Sequence, residues 1–271
     1  MHTSLRRRAP RLVCAVALLT TGPARAESAD ELAQKVQNPV ADLITIPFQE
    51  TLEYGIGSFD RARATLKIEP VVPVDLSQRW KLIVRTIAPF TDQPDATAAT
   101  GGSSGLGDIQ PTLFLSRAKP GRIIWGAGPV FSLPTATQRA TGSGKWSAGP
   151  SVVVLSQTRR WTIGVLASNL WSFAGPADRA KVNTLSLQPF VNLNLRSAFY
   201  LTSHPEMSAD WTASAGDRWL VPVGGGFGKV VRLGQVALHG EVAAYYNAIR
   251  PDTPPNPSWA LRLQISLLLP E

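Results

Sequence analysis

Two His-x-Glu pairs, His204-Pro205-Glu206 and His239-Gly240-Glu241, are the residues in this chain best placed to do chemistry. On an extended strand a spacing of two puts both side chains of a pair on one face, so two imidazoles and two carboxylates could share a space. That donor set suits a transition metal. Strands two places apart lie ~10 Å from each other, however, so only long side chains would converge, and a polar network is the simpler reading; no metal is expected. A serine beside His204 or His239 would be a hydrolytic centre. Many serines are present, but none stands in a nucleophile-elbow motif, and no catalytic residue is expected. Gly142-Ser143-Gly144-Lys145 and Gly226-Phe227-Gly228-Lys229 look like phosphate loops, yet Trp146 and Val230 follow them where a metal-binding hydroxyl is needed. Both read as loop or strand glycines, and no cofactor is expected.

The elements that position these residues follow from the hydropathy pattern. Residues 1–26 read as a signal peptide, with Arg6, Arg7, Arg8 and Arg11 before the apolar run from Leu12 to Leu19 and a small-x-small end at Ala24-Arg25-Ala26. Cys14, the single cysteine, lies inside it, so no disulfide is expected in the exported chain. The leader holds five of the 27 Lys and Arg and none of the 19 Asp and Glu, leaving the remainder near +3. Nucleic acid is therefore not an expected partner. No later stretch offers 18 consecutive apolar residues, so membrane residence would have to use strands.

From Glu50 onward the period is two. Trp259, Leu261, Leu263, Ile265, Leu267 and Leu269 alternate with Ala260, Arg262, Gln264, Ser266 and Leu268. Leu185, Leu187, Pro189, Val191, Leu193 and Leu195 alternate with Thr184, Ser186, Gln188, Phe190, Asn192 and Asn194. One apolar and one polar face is what lipid outside and water inside require. About twelve such segments are expected, at 50–58, 63–74, 79–91, 105–117, 121–134, 145–157, 160–173, 183–195, 198–210, 218–231, 235–249 and 258–269. The connections alternate between tight turns and longer loops, as in an antiparallel up-and-down transmembrane β-barrel. The expected organisation is a lead-in at 27–49, irregular or holding a short helix at 30–36 capped by Ser28 or Asp30, followed by a barrel at 50–271. Lumen residues and the loop from Thr91 to Ser104 are expected to set selectivity.

Tryptophan positions fit the same frame. Trp80, Trp125 and Trp161 fall at short-turn ends, and Trp146, Trp171, Trp211, Trp219 and Trp259 at long-loop ends, the places where indole rings would form two girdles at lipid headgroups. The expected lumen residues are Arg85, Asp108, Gln110, Gln188, Asn192, Asn194, His204, Glu206, His239, Glu241, Arg262 and Gln264. They would line a narrow or gated pore, or pair with one another and close it. Pro70, Pro111, Pro129, Pro150, Pro189 and Pro205 oppose the frame, because each removes a ladder donor inside a proposed strand.

Several blocks carry a resemblance: KVQNPVADLITIPFQ from Lys35, GLGDIQPTLFLS from Gly105, WGAGPVFSLPTAT from Trp125, GSGKWSAGP from Gly142, NLWSFAG from Asn169, LQPFVNLNL from Leu187, RWLVPVGGGFGK from Arg218 and YYNAIRPD from Tyr245. In this order they resemble the bacterial outer-membrane family named for the meta-pathway of phenol degradation, whose members are often labelled transporter or neuromedin U. The resemblance spans nearly all of the exported chain. It implies a Gram-negative outer-membrane barrel, with membrane lipids and the barrel-assembly machinery as partners and passive uptake of small aromatic or hydrophobic solutes as the role. A structural or surface-binding barrel with a closed lumen is the alternative, and a membrane-embedded lipid hydrolase a third.

Overall fold

The computed structural model describes residues 27–234 and 236–269, so the signal-peptide reading of residues 1–26 lies outside the described residues. Alternating side chains build one antiparallel sheet that closes on itself in twelve crossings. The strands are β1 (Ile44–Ile56), β2 (Arg61–Ile68, continued by Val71–Asp75), β3 (Trp80–Pro94), β4 (Gly102–Leu106, continued by Gln110–Arg117), β5 (Ile123–Ser132) and β6 (Trp146–Gln157). They are followed by β7 (Trp161–Ala174), β8 (Asn183–Asn194), β9 (Phe199–Ser203, continued by Met207–Asp210), β10 (Trp219–Leu233), β11 (Val236–Ile249) and β12 (Trp259–Leu269). The seam between β12 and β1 runs from Ile44 opposite Leu269 to Tyr54 opposite Trp259. Closure leaves no free edge, which a sheet bathed in hydrocarbon cannot tolerate.

The outer surface is an apolar belt. Ile265 is 62% exposed, and Leu263, Phe227, Ile163 and Val152 also face outward. Leu187, Leu193 and Leu261 share that face and are part-exposed. Trp146, Trp161, Trp171, Trp211 and Trp259 are exposed at strand ends. Trp80 meets Trp125 edge-on at 6.1 Å, with Arg117 over Trp80, and Trp259 stacks on Tyr54 at 4.3 Å.

The barrel begins six residues earlier than the period-two pattern indicated, because Ile44, Ile46 and Phe48 already alternate with Thr45, Pro47 and Gln49. Glu50 is consequently mid-strand rather than first. Its register partners Leu66 and Leu263 place its carboxyl on the outward face.

The prolines sit where the ladder lapses. Pro70 and Pro205 lie in the breaks that divide β2 and β9. Leu187 pairs with Met207 and Val191 with Ser203, so Pro205 faces Pro189 across an unpaired stretch. Pro129 and Pro150 are direct partners, and on their far sides the register skips Leu113 and Phe114 against β5 and Leu170 and Asn169 against β6. At Pro111 the pairing of β4 with β5 is likewise interrupted. The missing donors thus coincide with gaps in the sheet, not with bonds lost from a continuous ladder.

The lead-in is not a tail outside the barrel. Helix α1 (Ala29–Val36) starts at Ser28, whose hydroxyl accepts from the Glu31 amide while the Glu31 carboxylate accepts from the Ser28 amide, a capping box. Leu32 and Ala33 are buried among Leu43, Ala198, Val230, Ala237 and Leu268. Val40 packs with Ile83, Phe114, Ile124, Val153, Leu155, Leu166 and Phe190. All the strand residues among these point into the barrel, so residues 28–43 fill the short-turn half of the lumen as an apolar plug. Each fully buried large side chain contributes about 1.5–3 kcal/mol to that seating. The expectation of a polar inner face throughout is therefore corrected: in the short-turn half apolar residues such as Phe114, Val153 and Leu155 share the inward face with Lys81, Ser116 and Thr162. Ser28→Ala is expected to weaken the seating of α1 by about 1 kcal/mol, read as faster amide exchange at residues 29–36 with the strands unchanged.

Candidate functional site

The site is the lumen between the plug and the long loops. β10 separates β9 from β11 and turns Gly226 and Gly228 inward. A Cβ on Gly228 would stand 2.4 Å from the Tyr200 ring, so only glycine lets the side chains of β9 and β11 meet over the strand between them. The two His-x-Glu pairs converge there. His204 Nε2 bonds Glu241 Oε1 at 2.5 Å, and Tyr200 donates its hydroxyl to Glu241 Oε2 at 2.8 Å. His239 contacts the Tyr200 hydroxyl through Nε2 and Ser266 Oγ through Nδ1 at 3.1 Å. Gln188 reaches His204 Nδ1 at 3.3 Å.

A second layer of charge adjoins it. Glu206 is shared by Lys67 at 2.8 Å and Arg262 at 3.3 Å, and Arg262 also donates to the His204 carbonyl at 3.2 Å while lying over the Tyr245 ring. Arg85 pairs with Glu69 at 2.6 Å. Both rings of the His-x-Glu pairs spend their nitrogens on protein partners, which is what a polar network, not a ligand set for a metal, looks like.

Cavities flank this layer on both sides. Toward the long loops an upper cavity of about 380 Å³ is walled by Glu53, Arg63, Lys67, Thr141, Tyr245 and Arg262. Toward the plug an inner cavity of about 150 Å³ is lined by Arg85, Gln188, Asn192, His204, Glu206, His239, Glu241 and Gln264, eight of the twelve lumen residues read from the sequence. Glu206 belongs to both walls. A side chamber of about 200 Å³ takes in Gln110, and another of about 120 Å³ runs beside Pro39 and Leu43 of the plug.

Asp108 and Asn194 do other work. Asp108 accepts from the Ser143 amide at 2.7 Å and hydroxyl at 2.6 Å, pinning the loop at residues 133–145. Asn194 accepts from Gln37 of the plug at 2.8 Å. Gln49, Lys67, Glu69, Tyr200 and Thr202 also line the lumen. Gln49 was lost by starting the barrel at Glu50, whereas Lys67 alternates with Arg63 and Thr65 and was legible.

The Thr91 to Ser104 segment reaches the upper cavity through Thr91 and Gln93. β3 extends to Pro94 and β4 starts at Gly102, so most of Thr91 to Ser104 is hairpin, its tip tied down by Arg61 donating to the Ala98 and Gly101 carbonyls at 2.9 Å. The loop at residues 133–145 also sends Ala140 and Thr141 to the upper cavity. Arg179 holds its backbone, donating to Ser143 at 2.7 Å, to Arg139 at 3.0 Å and to Gly142. The phosphate-loop lookalike Gly142–Lys145 lies in this loop, with Lys145 Nζ committed to the Pro176 carbonyl at 2.5 Å; its counterpart Gly226–Lys229 is strand.

At 13% identity the chain superposes on an outer membrane channel from Pseudomonas putida F1 with a TM-score of 0.64, over 84% of this chain and 94% of that one. The two share the closed antiparallel fold of an outer-membrane β-barrel. The NanC porin gives a TM-score of 0.52 at 10% identity, over 84% of this chain and all of the porin. No protein-family profile and no curated protein matches the chain.

At the loop end Asp217 clasps two loops. It accepts from the Thr253 amide and hydroxyl, both at 2.8 Å, and from the Ser214 hydroxyl at 2.9 Å. The bond from the Thr253 amide, followed by the two hydroxyls, lowers its pKa. A depressed carboxylate gives stability that is complete above its unfolded value, near 3.9, and is lost as pH falls below that toward the folded value. Exchange protection of Thr253 is therefore expected to be level from pH 7 to 5 and to fall only below about 4; Asp217→Asn should weaken it across the whole range.

Proposed function

We propose that this chain is an outer-membrane channel for passive uptake of small aromatic or otherwise hydrophobic compounds, and that it belongs to the phenol meta-pathway family which its blocks resemble. In this reading it is exported by the general secretory route and inserted by the barrel-assembly machinery. The short turns and plug then lie on the periplasmic side, and the tryptophans at both strand ends meet the lipid headgroups. The observation that carries the proposal is the run of cavities sharing walls from the loop end down to the plug. A solid interior would have no such space, and the rings of Phe190, Tyr200 and Tyr245 give a flat solute faces to slide on. Single-channel conductance and swelling of protein-loaded liposomes in monoaromatic solutes test it. Passage of those solutes above protein-free liposomes is the expected result, and a tight barrel under all voltages would refute it.

The plug favours a second reading, a barrel closed at rest, which the same traces separate by showing rare openings or none. A hydrolytic role is not proposed. Ser266 is the serine that meets His239, but it is 0% exposed and already accepts from Gln264 at 3.0 Å, so a lipid ester has no approach to it.

A further inference from the structure

The inner cavity holds polar atoms with nothing to bond. Gln49 Nε2, Gln37 Oε1 and Thr202 Oγ1 have no hydrogen-bond partner, and their residues are 4%, 9% and 5% exposed. Buried polar groups are nearly always satisfied, and each orphan costs free energy that an occupant would recover. Gln49 stands on β1 and Thr202 on β9, four places round the wall, while Gln37 comes from the plug. No single neighbouring side chain can therefore serve all three, whereas one occupant of the lumen can.

The walls define what that something is. The charged groups on them already hold partners: Arg85 pairs with Glu69, Glu206 with Lys67 and Arg262, and the Glu241 carboxylate is hydrogen-bonded to His204 and Tyr200. An ionic guest would have to break one of these pairs in a confined space, which is unfavourable. Phe190, Tyr200, Val36 and Pro39 supply apolar surface between the polar atoms. A volume of about 150 Å³ is what one six-membered ring occupies when a cavity accepts benzene.

We infer that the inner cavity is a binding site for a neutral, single-ring molecule bearing both a hydrogen-bond donor and an acceptor, and that its occupant ties the plug to the wall. This rests on the channel reading and sharpens it from aromatic solutes in general to uncharged ones. The donor of such a guest meets Gln37 Oε1, its acceptor meets Gln49 Nε2, and Thr202 serves either. A bound guest touches residues 36–39, so it holds the plug in place.

Calorimetry on the purified full-length protein in detergent, with benzamide and its isosteric anion benzoate as probes, tests this. Benzamide is expected to bind about tenfold or more tighter than benzoate. The double variant Gln49→Leu, Thr202→Val removes only unpartnered groups, so its melting temperature without probe should hold or rise while benzamide affinity drops about tenfold or more. Benzamide should also slow amide exchange in residues 29–41. Equal binding of both probes, no binding of either, or undiminished binding by the double variant overturns the site, as does an unchanged plug for the tie. Should the double variant misfold by circular dichroism, Thr202→Val alone, which removes one unpartnered hydroxyl, gives the same reading with a smaller loss. Passage of monoaromatic solutes without benzamide binding would sink this inference and leave the channel; binding without passage would do the reverse.

Discussion

Deleting residues 28–41 is expected to raise single-channel conductance about tenfold or more and to turn rare openings into a sustained open level. Eight strands enclose a lumen that side chains fill and sixteen a water channel, so a twelve-strand wall lies where contents decide the outcome. Here the contents of the short-turn half are the plug itself, with Leu32, Ala33, Val40 and Leu43 buried against the inward faces of the strands. Removing it exposes Phe114, Leu166 and Phe190 to water but leaves every ladder intact, so the variant should still fold into a barrel that resists proteolysis. An unchanged conductance in a correctly inserted variant would mean that the layer around Glu206, not the plug, is the barrier. Ion pairs there span the lumen, so Glu206→Gln in the plug-deleted background locates the remaining resistance.

Glu241→Leu is expected to cost about 3–5 kcal/mol of stability in lipid, the penalty for stripping one partner from a buried, hydrogen-bonded charge. Its carboxylate, 7% exposed, holds His204 and Tyr200 together across β10. Glu241→Gln keeps an oxygen to accept from the Tyr200 hydroxyl but loses the second acceptor toward His204, and should cost about 1–3 kcal/mol, less than the leucine. Urea unfolding in liposomes, followed by tryptophan fluorescence, measures both. Equal losses would show that charge rather than hydrogen bonding keeps the two strands bridged.

Period-two alternation made the barrel legible because it is a rule about every residue of every strand. β3 to β12 begin and end within a few residues of their expected limits. The plug was not legible, because it has no period of its own. Its trace in the sequence is negative: Phe114, Phe190 and Leu268 stand among polar neighbours on the face assigned to water, and they are the walls it packs on. The convergence of His204 with Glu241 depended on a third strand. Two strands' width is too far for an imidazole and a carboxylate to cross over ordinary side chains, and it was the glycines of Gly226-Phe227-Gly228 that opened the path. The prolines were read as faults in continuous strands, since nothing in one strand's pattern shows where its neighbour stops pairing.

The segment that lodges inside the lumen precedes β1, and the strand that seals the wall is β12. The hoop is thus finished around its own leading end, by an edge more than 200 residues away in the chain. Joining ends so distant carries a large entropic toll and gives the topology a high contact order, which makes such assembly slow. Hairpins can form early, yet none of them encloses anything until the last stave arrives. Trapping of the leading segment and completion of the wall then become a single late event, and a shorter leading end should hasten it.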